Sequence, residues 1–217
     1  MIKYLIFDMD GTLIDSGEGV LESLATAIES YDIAYDKNRL PEMIGPPFGV
    51  GLKNIFGIDV SEYPEIISRY RNAYRTTGWD KYREYDGIVE VVKELKRRGY
   101  SIILGTSKPI EFAEKILEKM GLLECFDFVG AALSDTERAT KEEVLKWALA
   151  ELGIGDKKDQ IIMIGDRMYD ILGAREVGVE TIGVTWGYGS EAELKKYGVK
   201  KIIRRPNELL EIFKCLH

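Results

Sequence analysis

Five short stretches of this chain are apolar on both faces, with segments of helical period between them. They are Lys3–Phe7 (KYLIF), Ser101–Thr106 (SIILGT), Phe126–Ala131 (FDFVGA), Gln160–Gly165 (QIIMIG) and Glu180–Val184 (ETIGV), with Lys200–Arg204 as a weaker sixth. Strands without polar alternation are buried on both faces, as in a parallel sheet. Ile88, Val91, Val92 and Leu95 share one helical face within Ile88–Arg98. Phe112, Ile116, Leu117 and Met120 do the same, with Gly121 as a stop, and so do Val144, Leu145, Ala148 and Leu152. Ile171–Val177 reads as a shorter helix ending at Gly178. Strands alternating with helices require crossover connections, so the expected fold is α/β, a doubly wound parallel sheet.

Residues 16–84 interrupt this rhythm. Val20–Tyr31 places Leu21, Leu24, Ala25 and Ile28 on one face, Ile66–Tyr74 is helical again, and Pro47–Phe56 is a weaker helical pattern. No doubly apolar run occurs there. The expected organisation is an α/β core of residues 1–15 and 85–217, with residues 16–84 inserted as a small helical cap domain. Its exit runs from Gly78-Trp79 to Gly87. A length of 217 residues suits one core domain with a small insert.

Composition argues against several function classes. There are 30 Lys and Arg against 37 Asp and Glu, a net charge of −7. General nucleic-acid binding needs a clustered basic face, and an anionic membrane surface repels such a chain. No stretch approaches the roughly 18 apolar residues of a membrane span. The N-terminal MIKYLIFDMD reaches two aspartates too early for a signal peptide. Cys125 and Cys215 match neither a metal spacing nor a disulfide framework, so a cytoplasmic protein is expected. His217 is the sole histidine and the last residue, which argues against Ser-His-Asp triads and histidine-ligated zinc.

Ligands of an open parallel sheet bind beyond the carboxyl ends of its strands. Asp8, Met9, Asp10, Gly11 and Thr12 follow the first strand; Thr106, Ser107 and Lys108 end the second; Asp166 follows the fourth, with Asp170 one turn later. Any one Asp in such a place reads better as an N-cap or turn residue. Three together, Asp8, Asp10 and Asp166 at neighbouring strand ends, read as a site, because like charges that close cannot all ionise unaided. A divalent cation with oxygen ligands resolves the conflict, and Mg²⁺ suits a few carboxylates with waters and a phosphate oxygen. Thr140 to Glu143 fits a capping box. Lys141 then sits at a positive helix end, where a facing anion would relieve it, although position alone favours a solvated surface lysine. Ser107 fits an N-cap with Pro109 in the first turn, and such a helix start also suits an anion.

These pieces resemble the haloacid dehalogenase superfamily, specifically its phosphatases. The first motif stands here as Asp8-Met9-Asp10-Gly11-Thr12-Leu13, the second as Thr106, the third as Lys141, and the fourth as Gly165-Asp166-Arg167-Met168-Tyr169-Asp170. The insert resembles the helical cap of the phosphoglycolate phosphatase-like group. The resemblance implies Asp8 as nucleophile, forming an aspartyl-phosphate, and Asp10 as acid and base toward the leaving alcohol and the water. It implies Mg²⁺ held by the side chains of Asp8 and Asp166 and the backbone carbonyl of Asp10, with Asp170 as a ligand or as support behind the ligands. It implies Thr106, Ser107 and Lys141 on the phosphoryl oxygens.

Dehalogenases and phosphonatases of this family lack an aspartate at the place of Asp10. A phosphonatase also needs a cap lysine, for which Lys37 and Lys53 are weak candidates, and the related mutases use a cap histidine, absent here. A phosphohydrolase acting as a monomer on a small phosphorylated metabolite is therefore expected. A mutase, a phospho-acceptor such as a receiver domain, and a silent binding protein are the alternatives. Phosphoglycolate, nucleoside monophosphates, sugar phosphates and pyrophosphate remain open as substrates. Thr106-Ser107-Lys108-Pro109 loosely resembles chains of the 5′-nucleotidase-like or phosphoglycolate phosphatase-like kind. The cap is expected to close over the core and exclude water. Ile44-Gly45-Pro46-Pro47-Phe48 suits a leaving-group pocket or a tight connection equally. Lys53 or Arg39 facing a second anion, Glu18 facing the site, and Trp186-Gly187-Tyr188-Gly189 flanking it each compete with a plain surface or turn role.

Overall fold

The computed structural model describes residues 1–44, 48–133 and 137–216. Its strands are β1 (Tyr4–Phe7), β2 (Ile14–Asp15), β3 (Arg83–Glu84), β4 (Ser101–Pro109), β5 (Phe128–Ala132), β6 (Ile161–Gly165), β7 (Glu180–Val184) and β8 (Lys201–Ile203). Its α-helices are α1 (Gly17–Glu29), α2 (Phe48–Gly51), α3 (Ile66–Ala73), α4 (Ile88–Arg97), α5 (Ile110–Lys119), α6 (Lys141–Glu151), α7 (Met168–Glu176), α8 (Glu191–Lys196) and α9 (Glu208–Ile212). Contacts divide the chain into two compact units: Met1–Ile14 with the chain from Glu84 onward, and Asp15–Arg83. The strands β2 and β3 form a separate two-stranded ribbon.

In the first unit six strands form a parallel sheet of order β5-β4-β1-β6-β7-β8. The chain moves outward from β1 through β4 to β5, then returns to the other side of β1 with β6. That reversal opens a crevice at the carboxyl ends of β4, β1 and β6, the place where such sheets take ligands. Ile6 pairs in register with Ile103 on one side and Met163 on the other. These three join Leu145 and Leu149 of α6 and Ala174 of α7 in one buried cluster. Leu5, Phe7, Ile102 and Leu104 are equally buried, and strand alternation sends them to the opposite face. Burial on both faces is why these strands lack a polar alternation; each buried Leu, Ile or Phe contributes about 1.5–3 kcal/mol.

Two local readings change. β4 does not stop at Thr106 but runs to Pro109, so Ser107 is exposed strand rather than an N-cap, and α5 begins at Ile110. Proline disfavours the helical region for the residue before it, and Pro109 itself is extended at φ −58°, ψ 139°. The helical pattern within Pro47–Phe56 is split into α2 and one wide π-type turn, Leu52–Phe56. Gly49 and Gly51 weaken the α-helix there, and Gly57 ends it at φ 71°. Gly45, Pro46 and Pro47 lie outside the described residues, so the expected role of Ile44–Phe48 does too.

The second unit has its own core. Leu24, Ala27, Ile28, Leu40, Met43, Leu52, Ile58 and Ile66 are buried together. No helix among the described residues is long and apolar enough to cross a membrane.

Candidate active site

The chemistry-bearing residues of the first unit converge on the crevice. The Asp8 N–H donates to the Ile164 carbonyl at 3.0 Å, extending the β1–β6 ladder by one residue. Asp166 follows β6 directly. Asp170 stands in the first turn of α7, where Oδ2 accepts the Arg167 N–H at 3.1 Å. Asp8, Asp166 and Asp170 are all buried, and each offers a carboxylate oxygen within 4.8 Å of the others.

Lys141 enters the same cluster from the start of α6. The helix is fixed there by Thr140, whose side chain accepts the Glu143 N–H while the Glu143 carboxylate accepts the Thr140 N–H at 3.0 Å. The Lys141 ammonium lies 2.6 Å from Asp8, 2.8 Å from Asp170 and 2.8 Å from the Gly105 carbonyl oxygen. It is thus a buried lysine turned into the site, not a solvated one.

Asp166 is held from a different direction. Its Oδ2 accepts the backbone N–H groups of Tyr188 at 2.7 Å and Gly189 at 3.3 Å. A β-carbon at Gly11 or Gly187 would collide with the Asp166 carboxylate, and Gly11 takes φ +86°. Trp186 donates through Nε1 to the Thr12 carbonyl at 3.1 Å, tying the loop after β7 to the loop after β1. The segment Trp186–Gly189 therefore holds Asp166 within the acidic cluster. Its glycine spacing was visible in the sequence; its amide donors were not.

Burial, and after it the Asp170 charge, raise the Asp8 carboxyl to about 7 against the pull of Lys141. Burial, then Asp170 and Asp8, raise Asp166 well above the carboxylate range, against the Tyr188 and Gly189 amides. For Lys141 burial opposes the charge, but Asp170 and Asp8 outweigh it and hold its pKa above the ordinary lysine value. One ammonium thus pairs with two of the three buried carboxylates, Asp8 and Asp170. The Asp166 Oδ1 atom is buried and accepts no hydrogen bond. An all-oxygen donor set with an unsatisfied buried acceptor fits a hard divalent cation such as Mg²⁺.

The remaining candidates divide. Thr106 is buried and its hydroxyl accepts the Lys108 N–H at 3.2 Å, whereas Ser107 is exposed. Asp10, expected to gather with Asp8 and Asp166, is replaced in the cluster by Asp170; its carboxylate meets the ammonium of buried Lys108 at 2.9 and 3.1 Å. That leaves its backbone carbonyl for the metal role the resemblance implies. Lys108 was legible as a polar residue at a strand end but not as the partner of Asp10, because the pairing spans 98 residues. In the second unit Lys37 pairs with Glu29, Arg39 with Glu42, Lys53 with Asp59 and Glu18 with Arg83.

Comparisons with known proteins agree with this geometry. A family model described as haloacid dehalogenase-like hydrolase matches residues 5–184. A 5′-nucleotidase of Pseudomonas aeruginosa is 37% identical over 194 residues, 89% of this chain and 87% of that protein. Pyrophosphatase PpaX of Halalkalibacterium halodurans is 34% identical over 214 residues, 97% of this chain and 96% of that protein. A crystal structure described as "a predicted phosphatase from Clostridium acetobutylicum" superposes with a TM-score of 0.90 at 36% identity, covering 98% of each chain.

Proposed function

Since the chain belongs to the haloacid dehalogenase-like hydrolase family and is one of its phosphatases, we propose that it is a Mg²⁺-dependent phosphohydrolase. It cleaves a small phosphomonoester, phosphoglycolate-like or a nucleoside or sugar monophosphate, through an aspartyl-phosphate on Asp8, and acts as a monomer in the cytoplasm. The observation that carries this reading is the gathering of Asp8, Asp166 and Asp170 around one buried Lys141.

The substrate is an anion, so an attacking carboxylate meets repulsion. Lys141 lowers it, lying 2.6 Å from the nucleophile. Three oxygens already lie within 2.8 Å of its ammonium, so a phosphoryl oxygen binds it by taking the place of one. The Thr106 hydroxyl accepts the Lys108 N–H and keeps its own proton to donate to the phosphoryl group. Asp8, Asp166 and the Asp10 carbonyl would hold Mg²⁺, with Asp170 beside them, and when bound it supplies charge neutralisation at the phosphoryl oxygens. Asp8 attacks phosphorus, the bond to the leaving oxygen breaks, and Asp10 gives that oxygen a proton. Asp10 then takes a proton from the water that attacks the phosphoenzyme, and Asp8 is released as a carboxylate.

The test is phosphate release from phosphoglycolate, nucleoside monophosphates, sugar phosphates and pyrophosphate. Release is expected with Mg²⁺ and is lost with a chelator and in Asp8→Asn. Full turnover by Asp8→Asn, or a phosphoryl adduct that never releases phosphate, overturns the reading.

A further inference from the structure

Lys108 is a buried cation that the chemistry above does not use. Its side chain is 3% exposed. Its place follows from the strand: β4 continues past Thr106, and alternation turns Thr106 inward, Ser107 outward and Lys108 inward. The register between β4 and β5 shifts between Gly105 and Pro109, an irregularity of the sort that re-aims side chains beside active sites. The Lys108 N–H is bound to the Thr106 hydroxyl, so the start of the lysine side chain is anchored to a residue already in the site. The ammonium then touches both oxygens of Asp10, at 2.9 and 3.1 Å.

Stability alone is a poor account of this lysine. An ammonium taken out of water beside a carboxylate that remains 26% exposed recovers only part of its desolvation cost. An unbranched apolar side chain would fill the same space without that cost. What the lysine adds is direction: a contact to both oxygens restrains the rotation of the Asp10 side chain, which a solvated aspartate lacks.

We propose that Lys108 is a positioning residue that holds the Asp10 carboxyl where the leaving oxygen departs. This rests on the reading of Asp10 as the acid. As the phosphorus–oxygen bond breaks, its electron pair stays on the leaving oxygen, which takes the proton of Asp10; Lys108 keeps all its protons. Misplacing the acid matters most where the leaving group is a poor one. An alkoxide needs the proton, whereas a nitrophenolate departs without it.

The experiment compares kcat/KM, which reports leaving-group departure, for p-nitrophenyl phosphate and for a nucleoside 5′-monophosphate. It uses the wild type, Lys108→Met, Lys108→Arg and Asp10→Asn, with folding checked by circular dichroism. Lys108→Met is expected to lose about 10²-fold on the alkyl ester, the scale of a misplaced catalytic group, and less than about tenfold on the aryl ester. Lys108→Arg keeps the charge but changes its reach, and is expected to show the same selective loss. It decides the matter should Lys108→Met fail to fold. Equal losses on both esters, or no loss, overturn the role of Lys108, provided Asp10→Asn is selective. If Asp10→Asn is itself unselective, the assignment of Asp10 as acid falls, and the proposal falls with it.

Discussion

Replacing Lys141 with Met isolates the electrostatic centre of the site. The stem of Lys141 passes so close to Gly173 that a β-carbon there would meet its Cγ at 2.7 Å, so Met keeps the packing and the change is one of charge. The wild-type Lys141 side chain is 6% exposed, and its ammonium contacts Asp8 at 2.6 Å and Asp170 at 2.8 Å, side chains that are 11% and 1% exposed. Removing one partner of a buried ion pair costs about 3–5 kcal/mol, and here two carboxylates lose the same partner. Urea unfolding followed by circular dichroism, with a chelator present, should show that deficit at pH 8. The sign of its pH dependence is determined. Asp8 is already raised to about 7 with Lys141 opposing the rise, and without Lys141 it rises further. A raised carboxyl contributes stability that is present at low pH and lost as pH climbs through the folded value. The deficit of the variant should therefore be smaller near pH 5 than at pH 8. Saturating Mg²⁺ should recover part of it by supplying positive charge to the same acidic cluster. Hydrolysis should fall about 10²–10³-fold, the usual loss on removing one donor to a developing charge. A deficit below about 1 kcal/mol, or one equal at pH 5 and pH 8, would refute the reasoning.

Two further outcomes follow from the same geometry. In the metal-free wild type, the rise of Asp8 from 3.8 to about 7 implies about 4 kcal/mol of stability lost between about pH 4 and pH 7; calorimetric melting should show it, and Asp8→Asn should flatten that slope relative to the wild type. Gly11→Ala places a β-carbon against the Asp166 carboxylate at a backbone φ of +86°, so titration calorimetry should find Mg²⁺ affinity at least about tenfold weaker, the loss typical when support for a ligand is disturbed; unchanged affinity would count against Asp166 as a ligand.

Much of the architecture is legible in the sequence. The apolar stretches are strands because apolar residues on consecutive positions require cover on both faces, and only a sandwiched parallel sheet provides it. The boundaries near Phe7, Gly165 and Val184 follow from the polar residues that begin the loops. The helices α8 and α9 were not read, because at six and five residues they are too short to declare a period. The turn Lys37–Met43 was missed because Pro41 interrupts it.

The linear chain by itself determined the alternation of strand and helix and the types of acidic residue at the strand ends. Those properties are local: they depend on which neighbours are apolar, which are charged and how often each recurs. Tertiary structure alone decided which acids share a cluster, that Lys141 is buried among them, that Lys108 meets Asp10, and that the Tyr188 and Gly189 amides hold Asp166. Each of these joins groups far apart along the chain. Their distances are set by strand order and by glycines that let one loop touch another, and no local pattern encodes a separation in space.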